Sequence, residues 1–317
     1  MLSLIRSRSL SGLPLYVDVH PTTRCNLECR WCVNKTNKDT AASETMNDVN
    51  IPMYLTKLLE PRPNSPSYSP KRIHFCGGEP LLRRSVVLAG IRFLEGKDIA
   101  VSLVTNGTLL IQEVRLAVLG VESLQVSIDA QDRETYARLK RGDYFEQVLR
   151  NLEALANLRS KSNSSLRLVV NYVLCRDNIN ALHPFLTRLS NIGVDKIQFR
   201  TDLTADLETQ RALLQEVIGL KYEAPLSVII KSPDTPVTRD SFDNCLARFI
   251  WIVLGSDLSI YPCAHTVARG FQMGSLIDSN LFEVLEKNIK SPNPNCLRIC
   301  PSTCGNINLL GQEILDQ

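Results

Sequence analysis

The sequence predicts an α/β fold built around a parallel sheet. Short runs rich in β-branched residues alternate with stretches of helical periodicity, which is the pattern of successive β/α units. The predicted strands lie at 15–19, 71–75, 99–104, 121–128, 166–174 and 194–200. The predicted helices lie near 50–60, 83–95, 110–119, 144–158 and 178–192. Six such units indicate an open, partial (β/α)6 barrel rather than the closed form with eight units.

Three of the predicted strands end at turns that carry unusual chemistry. The first, Leu15-Tyr-Val-Asp-Val19, leads into a run with three cysteines. The second, Arg72-Ile-His-Phe75, leads into Cys76-Gly-Gly-Glu-Pro80. The third, Ile99-Ala-Val-Ser-Leu103, leads into Val104-Thr-Asn-Gly107. Because ligands bind at the carboxyl ends of the strands in such sheets, these turns are expected to share one rim.

A second, smaller domain is predicted to follow the barrel. A helical pattern at 206–220 closes the barrel side. The elements beyond it are a strand at 226–231, a hairpin at 249–262 that turns at Gly255-Ser-Asp257, and a helix at 279–290. The predicted domains are therefore a barrel core at 12–221 and a small extension, with a β-hairpin and a helix, at 222–317.

Bulk composition excludes several classes of protein. With 317 residues and 44% hydrophobic content, the chain can bury the core of one large domain or of a domain with an appendage. Its net charge is only +3, so a basic nucleic-acid footprint, and a nucleic-acid partner, are not expected. The apolar run at 249–254 is too short to span a bilayer, so no membrane partner is expected. The N-terminus lacks a signal-peptide pattern, and the ten cysteines suit a reducing compartment, so a cytoplasmic location is expected.

The run Thr-Arg-Cys25-Asn-Leu-Glu-Cys29-Arg-Trp-Cys32 has the spacing C-x3-C-x2-C. Three thiolates so spaced can hold three irons of a cubane [4Fe–4S] cluster. Since such clusters are normally closed by four cysteines, a three-cysteine site leaves one iron open to another ligand. The alternatives are three ordinary buried cysteines, or half of a zinc site. Zinc pairs usually come with a matching second pair nearby, and none follows in this region.

Together, the three turns resemble the signature motifs of the radical S-adenosylmethionine (SAM) superfamily, over about residues 12 to 305. The resemblance implies a TIM-like partial barrel and a [4Fe–4S] cluster on the catalytic cysteines Cys25, Cys29 and Cys32. It implies that the amine and carboxylate of SAM bind the open iron. One electron from the cluster then cleaves SAM to methionine and a 5′-deoxyadenosyl radical, which abstracts hydrogen from carbon.

The resemblance also implies a set of residues that bind SAM. They are Gly77, Gly78, Glu79, Pro80, Asn106, Ser127, Asp129, Arg141 and Trp31. The Gly-Gly-Glu-Pro turn is expected at the SAM amino group, where glycine permits close backbone approach. An arginine often follows the Ser-x-Asp motif of the fourth strand. Arg141 is expected in that role, although Lys140 beside it leaves the choice open. Trp31 is expected to pack on adenine, with core packing as the alternative.

A second group of cysteines lies in the last quarter of the chain. It consists of Cys245, Cys263, Cys296, Cys300 and Cys304. These cysteines lie around a predicted hairpin and helix, and the arrangement resembles the SPASM/twitch extension. The resemblance implies an auxiliary [4Fe–4S] cluster. Five cysteines suffice for one cluster, and the spacing leaves open which four bind it. Zinc is the main alternative, because four thiolates around a tetrahedral metal need similar spacings.

These features predict an enzyme that abstracts hydrogen from a small polar natural-product intermediate, in a dehydrogenation or an epimerisation. The first alternative is a maturase that epimerises or cross-links a ribosomal peptide. Because only 24 residues precede Cys25, no N-terminal leader-binding module is expected, which favours the small molecule. The second alternative is a non-enzymatic iron–sulfur electron carrier, which would have no need for the Gly-Gly-Glu-Pro turn. A reductant such as flavodoxin or ferredoxin is the expected protein partner.

Overall fold

The protein has an α/β architecture in the computed structural model, which describes residues 14–32, 44–60, 70–202, 205–230, 245–267 and 270–288. The strands are β1 Tyr16–Val19, β2 Arg72–Phe75, β3 Ala100–Thr105, β4 Ser123–Ser127, β5 Arg167–Leu174, β6 Lys196–Thr201, β7 Ser227–Ile230, β8 Trp251–Leu254, β9 Ser259–Tyr261 and β10 Gly274–Ser275. The α-helices are α1 Ile51–Leu59, α2 Arg84–Leu94, α3 Gln112–Ala117, α4 Arg133–Lys140, α5 Phe145–Lys161, α6 Leu182–Ile192, α7 Leu207–Ile218, α8 Leu220–Glu223, α9 Ala247–Ile250, α10 Ala264–Val267 and α11 Leu281–Asn288. Among the described residues, 3₁₀ turns lie at Pro80–Arg83 and Val118–Gly120. The predicted alternation of strands and helices is confirmed.

The structure divides into two units, and the first contains both ends of the described chain. Its strands follow the order β10-β9-β8-β1-β2. β1 pairs in parallel with β2 on one side and with β8 on the other. β8 and β9 form the predicted antiparallel hairpin, whose turn is closed by the Gly255 amide donating to the Ser259 carbonyl at 2.9 Å. Although β8 comes late in the sequence, it therefore extends the sheet that begins at β1.

The second unit contains Cys25–Cys32 and the chain from Ser102 to β7. Its strands β3-β4-β5-β6-β7 are all parallel neighbours. The strand expected at 226–231 is thus a further parallel strand of the second unit, paired with β6. The predicted division at 221/222 into a barrel core and a C-terminal extension stays a prediction.

Aromatic side chains fill the core of the second unit between its sheet and its helices. The Tyr172 ring on β5 lies 5.9 Å from Phe185 of α6 and 5.5 Å from Phe199 of β6, between centroids. Phe145 of α5 lies 6.4 Å from Phe185. Tyr172 and Phe199 are fully buried, so one face of the sheet is sealed by helices. These helices do not cover the opposite face of the sheet.

Helix α4 was not predicted from the sequence, and its composition explains why. It begins at the N-cap Asp132, whose carboxylate accepts a hydrogen bond from the Thr135 amide at 2.8 Å. Its buried side includes Thr135 and Lys140, so the apolar period that marks an amphipathic helix is weak. In the described part of the chain, no helix is both long and apolar enough to cross a membrane.

Candidate active site

The loop with the three N-terminal cysteines is fixed to helix α4 by backbone hydrogen bonds. The Glu28 amide donates to the Lys140 carbonyl at 3.2 Å, and the Arg30 amide donates to the Leu139 carbonyl at 2.9 Å. The Arg30 guanidinium also pairs with Asp177 at 2.6 Å. Because the last carbonyls of a helix have no partner within it, α4 is suited to hold the loop in this way.

Polar hydrogens point at the cysteine sulfurs. The Leu27 amide donates to Cys25 Sγ at 3.4 Å, and Asn106 Nδ2 lies 3.9 Å from the same sulfur. Burial raises the pKa of the Cys29 thiol, while the nearby Lys140 charge acts to lower it. Donors of this kind stabilise thiolate ligands, so the residues fit a bound iron–sulfur cluster.

Asn106 orients the cysteine loop from the end of β3. Its Nδ2 donates to Asn26 Oδ1 at 2.8 Å, and Asn26 Nδ2 donates to Thr108 Oγ1 at 2.9 Å. The Thr108 amide in turn donates to Asn106 Oδ1 at 3.0 Å. The sequence predicted Asn106 as a residue that binds SAM. In the structure its amide is engaged with the cysteine loop, and the contact with SAM stays a prediction.

Asp129 and Lys140 form a buried ion pair beneath the cysteine loop. Their side chains are each 2% exposed, and Lys140 Nζ lies 2.5 Å from Asp129 Oδ2. Burial acts to lower the pKa of Lys140, but the Asp129 carboxylate, together with Cys29 and Tyr136, outweighs it and the pKa is raised. Arg141, which the sequence favoured for SAM, is exposed and has a left-handed backbone with φ of +55°. The inward cation at this place in the fold is therefore Lys140.

The sheet face turned away from the helices of the second unit is polar. Ser127 on β4 is in register with Asn171 on β5, and Asn171 is in register with Gln198 on β6. Asn171 Nδ2 donates to Gln125 Oε1 at 3.3 Å. Asn171 Oδ1 is buried and accepts no hydrogen bond from the residues that the structure describes. Uncharged hydrogen-bonding groups thus line this face, where a parallel sheet is usually apolar.

In the first unit, the Gly-Gly-Glu turn lies flat against the backbone that precedes the cysteines. The Gly78 amide donates to the Thr22 carbonyl at 3.0 Å, and the Glu79 amide donates to the Arg24 carbonyl at 2.7 Å. Gly77 has φ of +119°, and a Cβ there would lie 2.7 Å from the Thr22 oxygen. A Cβ on Gly78 would lie 2.0 Å from the Arg24 oxygen. Glycine is thus required at both positions by contact with backbone.

The carboxylate of Glu79 is 1% exposed and caps the 3₁₀ turn that begins at Pro80. Its Oε1 accepts a hydrogen bond from the Leu81 amide at 3.1 Å. Pro80 is buried at the first position of this turn, where its missing N–H costs nothing. The structure therefore gives Glu79 a local structural contact, and its predicted contact with the SAM amino group stays a prediction.

Glu44 is a residue that sequence reasoning missed. Its carboxylate accepts hydrogen bonds from the Thr22 hydroxyl, from Arg24 Nη2 at 2.8 Å and from Arg83 Nη1 at 2.5 Å. Partial burial acts to raise the pKa of Glu44, but these donors outweigh it and the pKa is lowered. Glu44 thus joins the segment before the cysteines to the 3₁₀ turn after Glu79. No local motif marks it, because its partners are distant in sequence.

A second missed group lies on the polar side of β1 and β2. Asp18, His20 and Cys76 each have one atom that could bind a metal ion, and these three atoms all lie within 4.8 Å of one another. Burial lowers the pKa of His20 to about 4, and burial followed by the Asp18 charge raises the pKa of Cys76. A neutral imidazole and a protonated thiol therefore lie together at neutral pH. The His20 side chain lies close to Gly77, where it would meet an added Cβ. This group therefore adjoins the Gly-Gly-Glu turn.

The remaining predicted site residues lie in the cysteine loop and near the C-terminal hairpin. Trp31 is half-buried in the cysteine loop. Cys245 and Cys263 are half-buried in the first unit, and the charge of Cys245 contributes, after burial, to a raised pKa of Cys263. Cys296, Cys300 and Cys304 lie outside the described residues. The auxiliary cluster therefore stays a prediction.

Comparison with known proteins identifies relatives of the chain. The S-adenosylmethionine-dependent nucleotide dehydratase of Fibrobacter sp. is 26% identical over 240 residues, which cover 74% of this chain and 67% of that protein. The GTP 3′,8-cyclase of Chlorobaculum tepidum is 31% identical over 179 residues, which cover 55% of this chain and 49% of that protein. The chain thus matches about half the length of this cyclase.

Solved structures show the same fold. A crystal structure of Streptococcus suis SuiB, bound to its precursor peptide SuiA, matches with a TM-score of 0.69 at 16% identity. The match covers 95% of this chain and 71% of that chain. At this level of identity the likeness shows the fold alone, and it confirms the prediction of a parallel α/β architecture of the open, partial-barrel kind.

The sequence itself matches a family profile. Residues 19–182 match the radical SAM superfamily. The matched stretch contains the three-cysteine loop, the Gly-Gly-Glu turn and Asn106, which take part in the hydrogen bonds described above within each unit. The chain therefore belongs to the radical SAM superfamily.

Proposed function

We propose that this radical SAM enzyme cleaves SAM reductively and abstracts hydrogen from a carbon atom of a small polar substrate of nucleoside type. The observation that carries the proposal is the cysteine loop, in which N–H groups of Leu27 and Asn106 point at the Cys25 sulfur. Dehydrogenation and epimerisation are the proposed reaction types. A [4Fe–4S] cluster, when bound by Cys25, Cys29 and Cys32, supplies the single electron that cleaves SAM.

The residues of the chain position this chemistry. The three cysteines hold the cluster, and Asn106 and Lys140 fix the loop that carries them. In the first unit, the lack of side chains on Gly77 and Gly78 keeps the turn flat, so that SAM can approach its backbone. By placing the substrate C–H bond near the radical and excluding water, the protein directs the reaction of the cofactor.

A substrate of nucleoside type is supported by two observations. The uncharged row Ser127, Asn171 and Gln198 offers donors and acceptors, and Asn171 Oδ1 is a buried acceptor that lacks a donor among the described residues. A buried acceptor of this kind favours a ligand that supplies an N–H or O–H group. By their names, the two curated relatives described above act on nucleotides. A peptide substrate is the alternative proposal, and a reductant such as flavodoxin or ferredoxin is the proposed partner.

Anaerobic reconstitution provides the test of the proposed function. With iron, sulfide, SAM and dithionite, the protein is expected to form 5′-deoxyadenosine, measured by liquid chromatography. The matched control replaces Cys25, Cys29 and Cys32 by alanine, and it should form none. Adding nucleoside triphosphates should accelerate the reaction, whereas acceleration by short peptides alone would favour the peptide alternative. A wild-type protein that is fully loaded with iron and forms no 5′-deoxyadenosine would overturn the proposal.

We also propose that Cys245 and Cys263, with two of the three later cysteines, bind an auxiliary [4Fe–4S] cluster. Two cubanes predict about eight irons per chain, because each contains four. Replacing Cys245 and Cys263 by serine should reduce the count to about four while the N-terminal cluster remains. The measurement is iron content together with Mössbauer spectra. A wild-type count near four, accompanied by bound zinc, would show that these cysteines hold a different metal.

A further inference from the structure

The ion pair of Asp129 and Lys140 lies against a cysteine that is expected to bind iron. Lys140 Nζ is 2.5 Å from Asp129 Oδ2, and of these two nearby charges the Lys140 cation acts to lower the pKa of Cys29 while the Asp129 anion acts to raise it. Both charged side chains are 2% exposed. Because solvent is excluded, each charge acts on the Cys29 sulfur through a medium that screens it far less than water does.

The positions of both charges are fixed relative to the cysteine loop. Asp129 Oδ1 accepts a hydrogen bond from the Val173 amide at 2.7 Å, and the Asp129 carbonyl accepts one from Asn178 Nδ2 at 2.9 Å. The Lys140 carbonyl accepts the Glu28 amide of the loop itself. Neither charge can therefore move away from Cys29 without breaking backbone contacts.

We propose that Lys140 and Asp129 together set the reduction potential of the cluster held by Cys25, Cys29 and Cys32. The inference rests on the proposed function, since it requires that cluster. Reduction adds one electron, supplied by a flavodoxin, a ferredoxin or dithionite, and the added negative charge spreads onto the sulfurs. The Lys140 cation stabilises the reduced state, and the Asp129 anion opposes it. The pair is a positioning and electrostatic device, not a group that reacts.

The proposal predicts that substitutions of Lys140 and of Asp129 shift the reduction potential of the cluster in opposite directions. Lys140→Gln leaves Asp129 unbalanced and should make reduction harder, whereas Asp129→Asn leaves Lys140 unbalanced and should make reduction easier. Asn retains an acceptor for the Val173 amide, so this backbone contact is kept. Each change is expected to alter the one-electron equilibrium about tenfold, which corresponds to about 59 mV. The double variant should return close to the wild-type potential.

The measurement is a redox titration followed by electron paramagnetic resonance, without SAM. Arg138→Gln is the matched control, because it removes an exposed cation from the same helix and should leave the potential unchanged. Equal potentials in both single variants, or shifts of the same sign, would overturn the inference. If Lys140→Gln fails to load a cluster, the reduction potential of Asp129→Asn must still be higher than that of the double variant. Equal potentials in these two variants would refute the inference. Failure of the wild type to bind a cluster would instead refute the proposed function.

Unchanged potentials together with weaker SAM binding in Lys140→Gln would assign Lys140 to the SAM carboxylate instead. Equilibrium binding of SAM to each reconstituted variant separates this outcome from the electrostatic one. A merely structural role would lower cluster content without shifting the potential of the cluster that remains. The electrostatic role therefore has a signature that the other two do not share.

Discussion

Replacing Gly78 by alanine is expected to lower 5′-deoxyadenosine formation about 10²-fold, because it displaces the turn that lies beside the segment preceding the cysteines. The added Cβ would lie 2.0 Å from the Arg24 oxygen and 2.6 Å from the Thr23 oxygen. Both are backbone atoms, so no side chain can rotate to make room. The turn must move outward, which breaks the Gly78–Thr22 and Glu79–Arg24 backbone hydrogen bonds.

The same change should also destabilise the protein, by about 1–3 kcal/mol from overpacking alone. The measurements are the rate of 5′-deoxyadenosine formation and the free energy of unfolding in urea. Gly120→Ala is the matched control, since a Cβ there meets nothing within 4 Å and the backbone needs no positive φ. Wild-type turnover in Gly78→Ala, with unaltered stability, would show that the turn does not need glycine for its position.

Replacing Lys140 by methionine is expected to have the largest effect on stability, about 3–5 kcal/mol in the free energy of unfolding. The substitution preserves the length of the side chain but leaves the Asp129 carboxylate, 2% exposed, without its counter-charge. An unpaired buried charge is costly because it has lost its hydration. Urea unfolding of the anaerobic apoprotein measures the loss, independently of any cluster.

The double variant Lys140→Met with Asp129→Asn distinguishes charge from packing. Since it removes the unpaired anion, it should recover most of the stability that Lys140→Met loses. Recovery of less than a third of the loss would mean that the ammonium group itself, through its charge near Cys29, and not the ion pair, holds this region together. Arg138→Gln should change the stability by less than about 0.5 kcal/mol, because Arg138 is exposed.

The sequence predicted the strands and most helices because their apolar periods are strong. Helix α4 escaped prediction because a buried lysine, whose charge is compensated by an aspartate eleven residues earlier, replaces an apolar residue on its inner side. The sequence predicts β7 as a strand but not its pairing with β6, since pairing between strands does not appear in a local pattern. Its parallel register with β6 depends on contacts between residues about thirty positions apart, such as Phe199 and Ile230.

The parts of the candidate site that consist of residues close together in the sequence were predictable. The cysteine spacing and the Gly-Gly-Glu turn are of this kind, and the structure supplies the backbone reason for the glycines. Which of Lys140 and Arg141 is buried was not predictable, because it depends on where helix α4 ends. The helix ends at Lys140, and the left-handed residue Arg141 turns the chain outward. Glu44 was missed for a different reason, as its partners Arg24 and Arg83 lie 20 and 39 residues away.

The bonds that tie Glu28 and Arg30 to the last carbonyls of α4 have a consequence for maturation. They involve main-chain atoms alone, so they exist before any iron arrives. The apoprotein should therefore present its thiols on an ordered platform, and the entropic cost of cluster insertion should be small. Amide deuterium uptake at Glu28 and Arg30 should accordingly be slow in the metal-free chain. Proteins that insert the cluster would then bind a cysteine loop that is already ordered.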